Sequence, residues 1–216
     1  MKWGLVVRNV ANSVDAPIPE RKPVEPLTRE QVKLLLDVLK DDRLYAFYVV
    51  ALGCGLRRGE LLALTWDCVD LEKGEIYVKK SLQAQTGKGL VIAEPKSRAS
   101  YRIVAMPNFV KQTLLHKVCI VESPYVFCTS KGTPFGPRNI VRHFKRALLK
   151  AGLPETIRLH DLRHTFVSFM LQYVPPKDVQ VIAGHADFST TMNIYGHLMP
   201  GAQQEAAKKM DKLFNA

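Results

Sequence analysis

Residues 55–64 read GLRRGELLAL. Gly55 interrupts the apolar run before it, and a new apolar segment begins at Leu61, so the pattern predicts a turn entering a helix. Arg57 falls at the N-terminus of that helix, where unpaired amides favour anions and a guanidinium adds a bidentate fork. An arginine there is equally at home as a surface residue of an amphipathic helix. Glu60 either holds Arg57 in place or is a first-turn acid stabilised by the helix dipole.

Upstream of this turn, Thr28 and Gln31 have capping-box spacing. Val32, Leu35, Leu36 and Leu39 follow as a helical stripe, and a second helix covers roughly residues 43–52. Residues 11–26, with four prolines and mixed charges, form a linker. Residues 1–10 resemble the tail of a helix, so the expectation is a truncated chain with something before residue 1. Downstream, residues 74–81, 89–94 and 101–106 alternate or are β-branched and predict a three-stranded meander. Helices resume at about 108–118 and 137–151, the latter with Pro137 in its first turn and Gly152 beyond its end. Its stripe is Ile140, Val141, Phe144, Ala147 and Leu148. Its other face carries Arg138, Arg142, Lys145, Arg146 and Lys150, which either tracks phosphates or is simply solvated. Further helices are expected at about 160–173, 177–183 and 189–198, with a tail helix over 201–216. The expected fold is mainly α with a small three-stranded antiparallel sheet.

The chain has 216 residues and a formal net charge of +11. A basic balance of this size points to a polyanion, with nucleic acid first and an anionic membrane surface second, against a merely solvated surface. No apolar run reaches spanning length, so no membrane partner is expected. The cysteines at 54, 68, 119 and 128 lack CxxC spacing, which argues against a zinc site or disulfide framework and for a reducing, cytoplasmic setting.

Metal-free phosphodiester cleavage needs a nucleophile, cationic donors on the non-bridging oxygens and an acid for the leaving oxygen. HDLRHT (160–165) places His160 and Arg163 on one helix face. His160 and His164 also stand at a metal-like spacing, but the glutamate of a zinc helix is missing and no metal is expected. EPKSRASYR (94–102) puts Lys96 at a hairpin tip. AGHADFSTTMNIYGH (183–197) holds His185 and, ten residues later, Tyr195. Each of these residues alone has an ordinary structural reading as a surface cation, a capping histidine or a core tyrosine.

Taken in order, arginine in GLRRGE, lysine in a β-turn, HxxR, GH and a downstream tyrosine resemble the catalytic domain of the tyrosine recombinases, the phage integrase family. The resemblance covers about residues 24–200. Its third box departs slightly, reading AGHAD where a larger apolar residue commonly precedes the glycine. The resemblance implies Tyr195 as nucleophile, Arg57 and Arg163 as the phosphate clamp, Lys96 as general acid, and His160 and His185 as phosphate-bonding groups. Glu60 and Asp161 would support them, and Arg58, Arg98, Arg138, Arg142 and Lys145 would contact DNA. It further implies 1–26 as the end of a core-binding domain plus linker, 27–200 as the catalytic domain and 201–216 as a detachable tail.

The partner implied is double-stranded DNA, with a homotetramer on DNA for the full-length protein, a monomer as the alternative for this fragment, and no cofactor. The host would be bacterial or archaeal, or the gene phage-borne. Competing readings are a type IB topoisomerase, a non-catalytic DNA-binding relic of the fold, and a metal-dependent hydrolase built on His160 and His164.

Overall fold

The computed structural model describes residues 26–94, 101–117 and 122–192. The expectations for residues 1–25, for Lys96 and Arg98, for Cys119, for Tyr195 and for the tail lie outside the described residues.

Helix α1 spans Arg29–Leu39 and starts on the expected cap. The Thr28 hydroxyl accepts from the Gln31 amide at 3.2 Å and Gln31 Oε1 accepts from the Thr28 amide at 2.9 Å. Just before it, the Leu27 amide donates to Thr165 Oγ1 at 2.9 Å, tying this end to a helix far along the chain. Helix α2, Tyr45–Cys54, is apolar nearly all round and is buried accordingly, at the centre of the molecule. It packs against α1, against α3 (Arg58–Leu62), against α4 (Asn108–Lys117) and against α6 (Asp161–Met170). Helix α5, Pro137–Lys150, buries Ile140, Phe144, Ala147 and Leu148, most of the predicted stripe. A second, smaller apolar cluster joins Phe166, Val167 and Leu171 to Val179 and Ala183 of α7, Pro176–Ala183.

The molecule is mainly helical with a small antiparallel three-stranded sheet, but the expected strand over 89–94 is not part of that sheet, whose third strand is instead the unforeseen Val69–Asp70. The strands are β1 (Val69–Asp70), β2 (Glu75–Val78), β3 (Ser81–Gln85), β4 (Gly89–Ala93) and β5 (Arg102–Ala105). The sheet order is β1-β2-β5, while β3 and β4 form a separate ribbon. The expected strand over 74–81 therefore divides: β2 ends at Val78, and β3 starts anew and pairs only with β4. Burial explains the division. Ile76, Val78 and Val104 give β2 and β5 an inward face, whereas Leu82 is the one fully buried side chain of the ribbon. With so little apolar surface to cover, the ribbon touches the core through Leu82 and packs along α3, while β4 stays largely exposed.

Cys54, Cys68 and Cys128 are buried free thiols. No described helix is long and apolar enough to cross a membrane.

Candidate nucleic-acid active site

Helix α2 stops at Gly55, whose left-handed φ of 61° lets the chain reverse before Arg57 caps α3. Glu60, three residues on, accepts from the Arg57 amide at 2.8 Å and from Arg57 Nη1 at 2.9 Å. The first-turn acid therefore does hold the arginine. Burial alone would raise the Glu60 carboxyl, but hydrogen bonds and charge from Arg102, then Arg57, outweigh it and keep it ionised below the usual range.

Arg163 extends from α6 into the same region and is 3% exposed. Its Nη1 donates to the Gly55 carbonyl and its Nη2 to the Ala183 carbonyl, each at 2.6 Å. These are terminal carbonyls of α2 and α7, which carry the negative ends of the helix dipoles. Burial, then the like charges of Arg57 and Arg102, lower the guanidinium to about 9, which leaves it cationic at neutral pH.

Arg102, on β5, was not singled out from the sequence. It donates through Nε to the Ile182 carbonyl at 2.9 Å and through both Nη atoms to Glu60, at 3.1 and 2.9 Å. Arg57 Nη2 donates to the Gly184 carbonyl. Three consecutive carbonyls at the end of α7, those of residues 182, 183 and 184, are thus each taken by a different arginine. A legible signal for Arg102 existed: it shares strand phase with Val104 and Met106, both buried, and a cation on an inward face needs a partner.

Gly184 adopts φ 67° as the cap of α7, and the Arg102 guanidinium lies where a side chain would begin. His185 follows, 8% exposed, with Nδ1 2.8 Å from the hydroxyl of the fully buried Thr191. That contact leaves Nε2 for another partner. Burial, then Arg163 and Arg57, push the imidazole down to about 3, so it is neutral. Thr191 belongs to a helix described over 188–192, four residues ahead of Tyr195 in sequence.

His160 stands at the start of α6 with its ring edge-on to His164, centroids 4.7 Å apart. Burial of its inner side, then the charges of His164 and Arg163, lower it below the ordinary imidazole range, although its outer edge is exposed. Asp161 accepts from the Arg158 amide at 2.7 Å and from its guanidinium at 3.0 Å, fixing the turn before α6. Among the described residues no three His, Cys, Asp or Glu side chains group as metal ligands.

Arg57 and His160 open onto a groove of about 600 Å³. Arg58, Ser81, Gln83 of the ribbon and Pro137 of α5 line it as well. Arg58 is exposed, as are Arg138 and Arg142 on α5. Lys145 is turned to the loop after α5, donating to the carbonyls of Glu155 and Ile157. No described tyrosine lines the groove. Tyr48 is fully buried with its hydroxyl 2.9 Å from His143 Nδ1, and burial raises its phenol. Tyr77 donates to Glu75 and Tyr173 accepts from Arg29.

Three arginines and two histidines are thus gathered between the groove and the end of α7 on a mainly helical fold. Residues 25–201 match the phage integrase family model, and the chain belongs to that family. It is 32% identical over 223 residues to a tyrosine recombinase XerC-like protein of Caldanaerobacter subterraneus subsp. tengcongensis, covering 91% of this chain and 57% of that one. It is 31% identical over 227 residues to the ICEBs1 integrase of Bacillus subtilis, covering 97% of this chain and 60% of that one. The chain thus spans less than two thirds of the length of these relatives. The Tn1549 transposon integrase in complex with circular intermediate DNA superposes with a TM-score of 0.78 at 28% identity, covering 96% of this chain and 72% of that one. XerA recombinase superposes with a TM-score of 0.67 at 27% identity, over 91% of this chain and 66% of that one.

Proposed function

We propose that the protein is a site-specific DNA recombinase, an integrase serving the integration or excision of a mobile element or phage. The observation that carries this reading is that residues from three separate sequence motifs meet: Arg57 and His160 line one groove, and Arg57 also joins Arg163 and His185 at the end of α7. In the proposed reaction Tyr195 Oη attacks the scissile phosphorus. The new O–P bond replaces the P–O5′ bond, the phenolic proton passes to a neighbouring base or to water, and Lys96 protonates the departing 5′-oxygen. Rejoining reverses these transfers. Arg57 and Arg163 would stabilise the charge gathering on the non-bridging oxygens, a task suited to a planar, permanently charged fork. His160 and His185, both neutral at rest, would each donate one N–H to the same oxygens. The phosphotyrosyl bond conserves the free energy of the broken linkage, so neither ATP nor a metal is required.

Double-stranded DNA is the partner under this reading. Arg58, Arg98, Arg138 and Arg142 would follow its backbone, and the full-length enzyme would work as a homotetramer in the cytoplasm. Residues 1–26 would then close a preceding core-binding domain, 27–200 form the catalytic domain and 201–216 serve as the tail. The decisive experiment offers a nicked suicide duplex and reads covalent adduct on a denaturing gel. The wild type should form the adduct. Tyr195→Phe should bind the duplex and form none, and an adduct surviving in that variant overturns the assignment.

A further inference from the structure

Arg102 begins β5, opposite Val78 of β2, and its side chain is 5% exposed. A guanidinium so far from water is tolerated only with its donors engaged. Here one edge grips both oxygens of Glu60 and Nε reaches the Ile182 carbonyl. Arg102 is not among the residues that line the groove, and the partners described for it are Glu60 and the Ile182 carbonyl.

Its partners are, however, the partners of Arg57. Glu60 Oε1 accepts from Arg57 Nη1 as well as from Arg102, and Glu60 Oε2 accepts from the Arg57 amide as well as from Arg102. The other anchor of Arg57 is the Gly184 carbonyl, and the Arg102 guanidinium lies against Gly184 itself, 3.0 Å from where a Cβ would stand. Two effects follow. Glu60 is held from behind, so the carboxylate cannot rotate toward the groove with Arg57. Glu60 also divides its single negative charge between two cations, which leaves Arg57 with positive charge to spend on an incoming anion. Without Arg102, Glu60 would pair with Arg57 alone and cancel it.

We propose that Arg102 is a positioning residue that acts through Glu60 and the 182–184 turn to hold Arg57, aligned and uncancelled, for the scissile phosphate. The proposal rests on the recombinase reading of the site.

The test compares two linkages in a nicked suicide duplex spanning the junction that flanks the protein's own gene. One duplex carries an ordinary scissile phosphate. The other carries a methylphosphonate there, which is neutral and has less need of a cationic clamp. Release of the 5′-hydroxyl strand is followed in single turnover at saturating protein. Arg102→Lys, which keeps the charge and loses the fork, should slow the ordinary linkage by roughly tenfold to a hundredfold, as misplacement of a catalytic group does. On the methylphosphonate its deficit should shrink to within about threefold of wild type, because a transition state without the extra charge no longer uses the lost alignment. Arg57→Ala should show the same contraction. Arg102→Ala, with its melting temperature recorded beside it, extends the series.

An equal loss on both linkages means that Arg102 merely supports the fold and overturns the proposal. So does an Arg102→Lys variant that cleaves the ordinary phosphate at the wild-type rate. If the wild type cleaves neither duplex, the recombinase reading itself fails, and this role with it.

Discussion

Arg163 donates to the carbonyl of Gly55 at 2.6 Å, across 108 residues of sequence. A second bond from the same guanidinium reaches Ala183, so one side chain closes the ends of two helices. Arg163→Ala would strand both carbonyls in a buried setting, at about 1–3 kcal/mol for each unsatisfied group. The variant should therefore melt at a lower temperature and also lose cleavage by at least roughly a hundredfold, the scale of losing one transition-state donor. Calorimetry and single-turnover cleavage check the two parts separately. A variant with unchanged melting and unchanged rate would remove both roles.

Gly184 offers a test that leaves every ionisable group in place. Alanine at its left-handed φ of 67° costs about 1–2 kcal/mol. The added methyl also presses on the Arg102 guanidinium. Gly184→Ala should lower the melting temperature and slow cleavage more than a comparable loss of stability elsewhere does. Ile140→Val on α5, at a fully buried position away from this cluster, supplies that comparison, since it costs about 0.5–1.5 kcal/mol.

Acid should weaken the fold through His185. Its native value of about 3 lies below the ordinary 6.5 because burial, Arg163 and Arg57 all oppose the charged ring. Between those values the unfolded chain binds a proton that the native chain does not. Stability is thus complete above about pH 6.5 and declines as pH falls toward 3, with His160 contributing in the same direction. Melting curves from about pH 7 down to about pH 5 should show this decline, and His185→Gln should flatten it. An unaltered slope in that variant would contradict the assignment.

Several of these relations were readable in the sequence. The Thr28 cap, the Pro137 start of α5 and the order of the helices follow from local chemistry that acts within one or two turns. The pairing of Arg57 with Glu60 and the place of HxxR at a helix start were legible for the same reason, since each lies within a single turn. Strand partners were not: the alternation in 81–93 is compatible with joining a sheet or standing apart, and the choice depends on apolar surface from elsewhere. Thr191 escaped notice because a buried hydroxyl has no pattern until its histidine partner is placed beside it. Arg102 lay in plain view as a charge on an inward strand phase, but its partner Glu60 is 42 residues away.

Affinity for DNA should depend steeply on salt. With a formal charge of +11 and exposed Arg58, Arg138 and Arg142, most binding free energy would come from counterion release. Titrations of a duplex at two or more salt concentrations should give a strongly negative slope of log affinity on log salt. Replacing Arg138 and Arg142 together with glutamine should make that slope shallower by about two phosphate contacts. A slope near zero would contradict the DNA interface.

The three arginines that close around the end of α7 come from positions 57, 102 and 163, and the carbonyls they share from positions 182–184. Domains begin to form while the chain is still being synthesised, N-terminal segments first. A nascent chain halted before residue 182 already carries Arg57, Arg102 and Arg163, yet it has no α7 terminus on which to gather their guanidiniums. The arginine cluster is therefore incomplete until residues 182–184 have been made. If the protein cuts DNA as proposed, that chemistry would have to await the last-made part of the cluster.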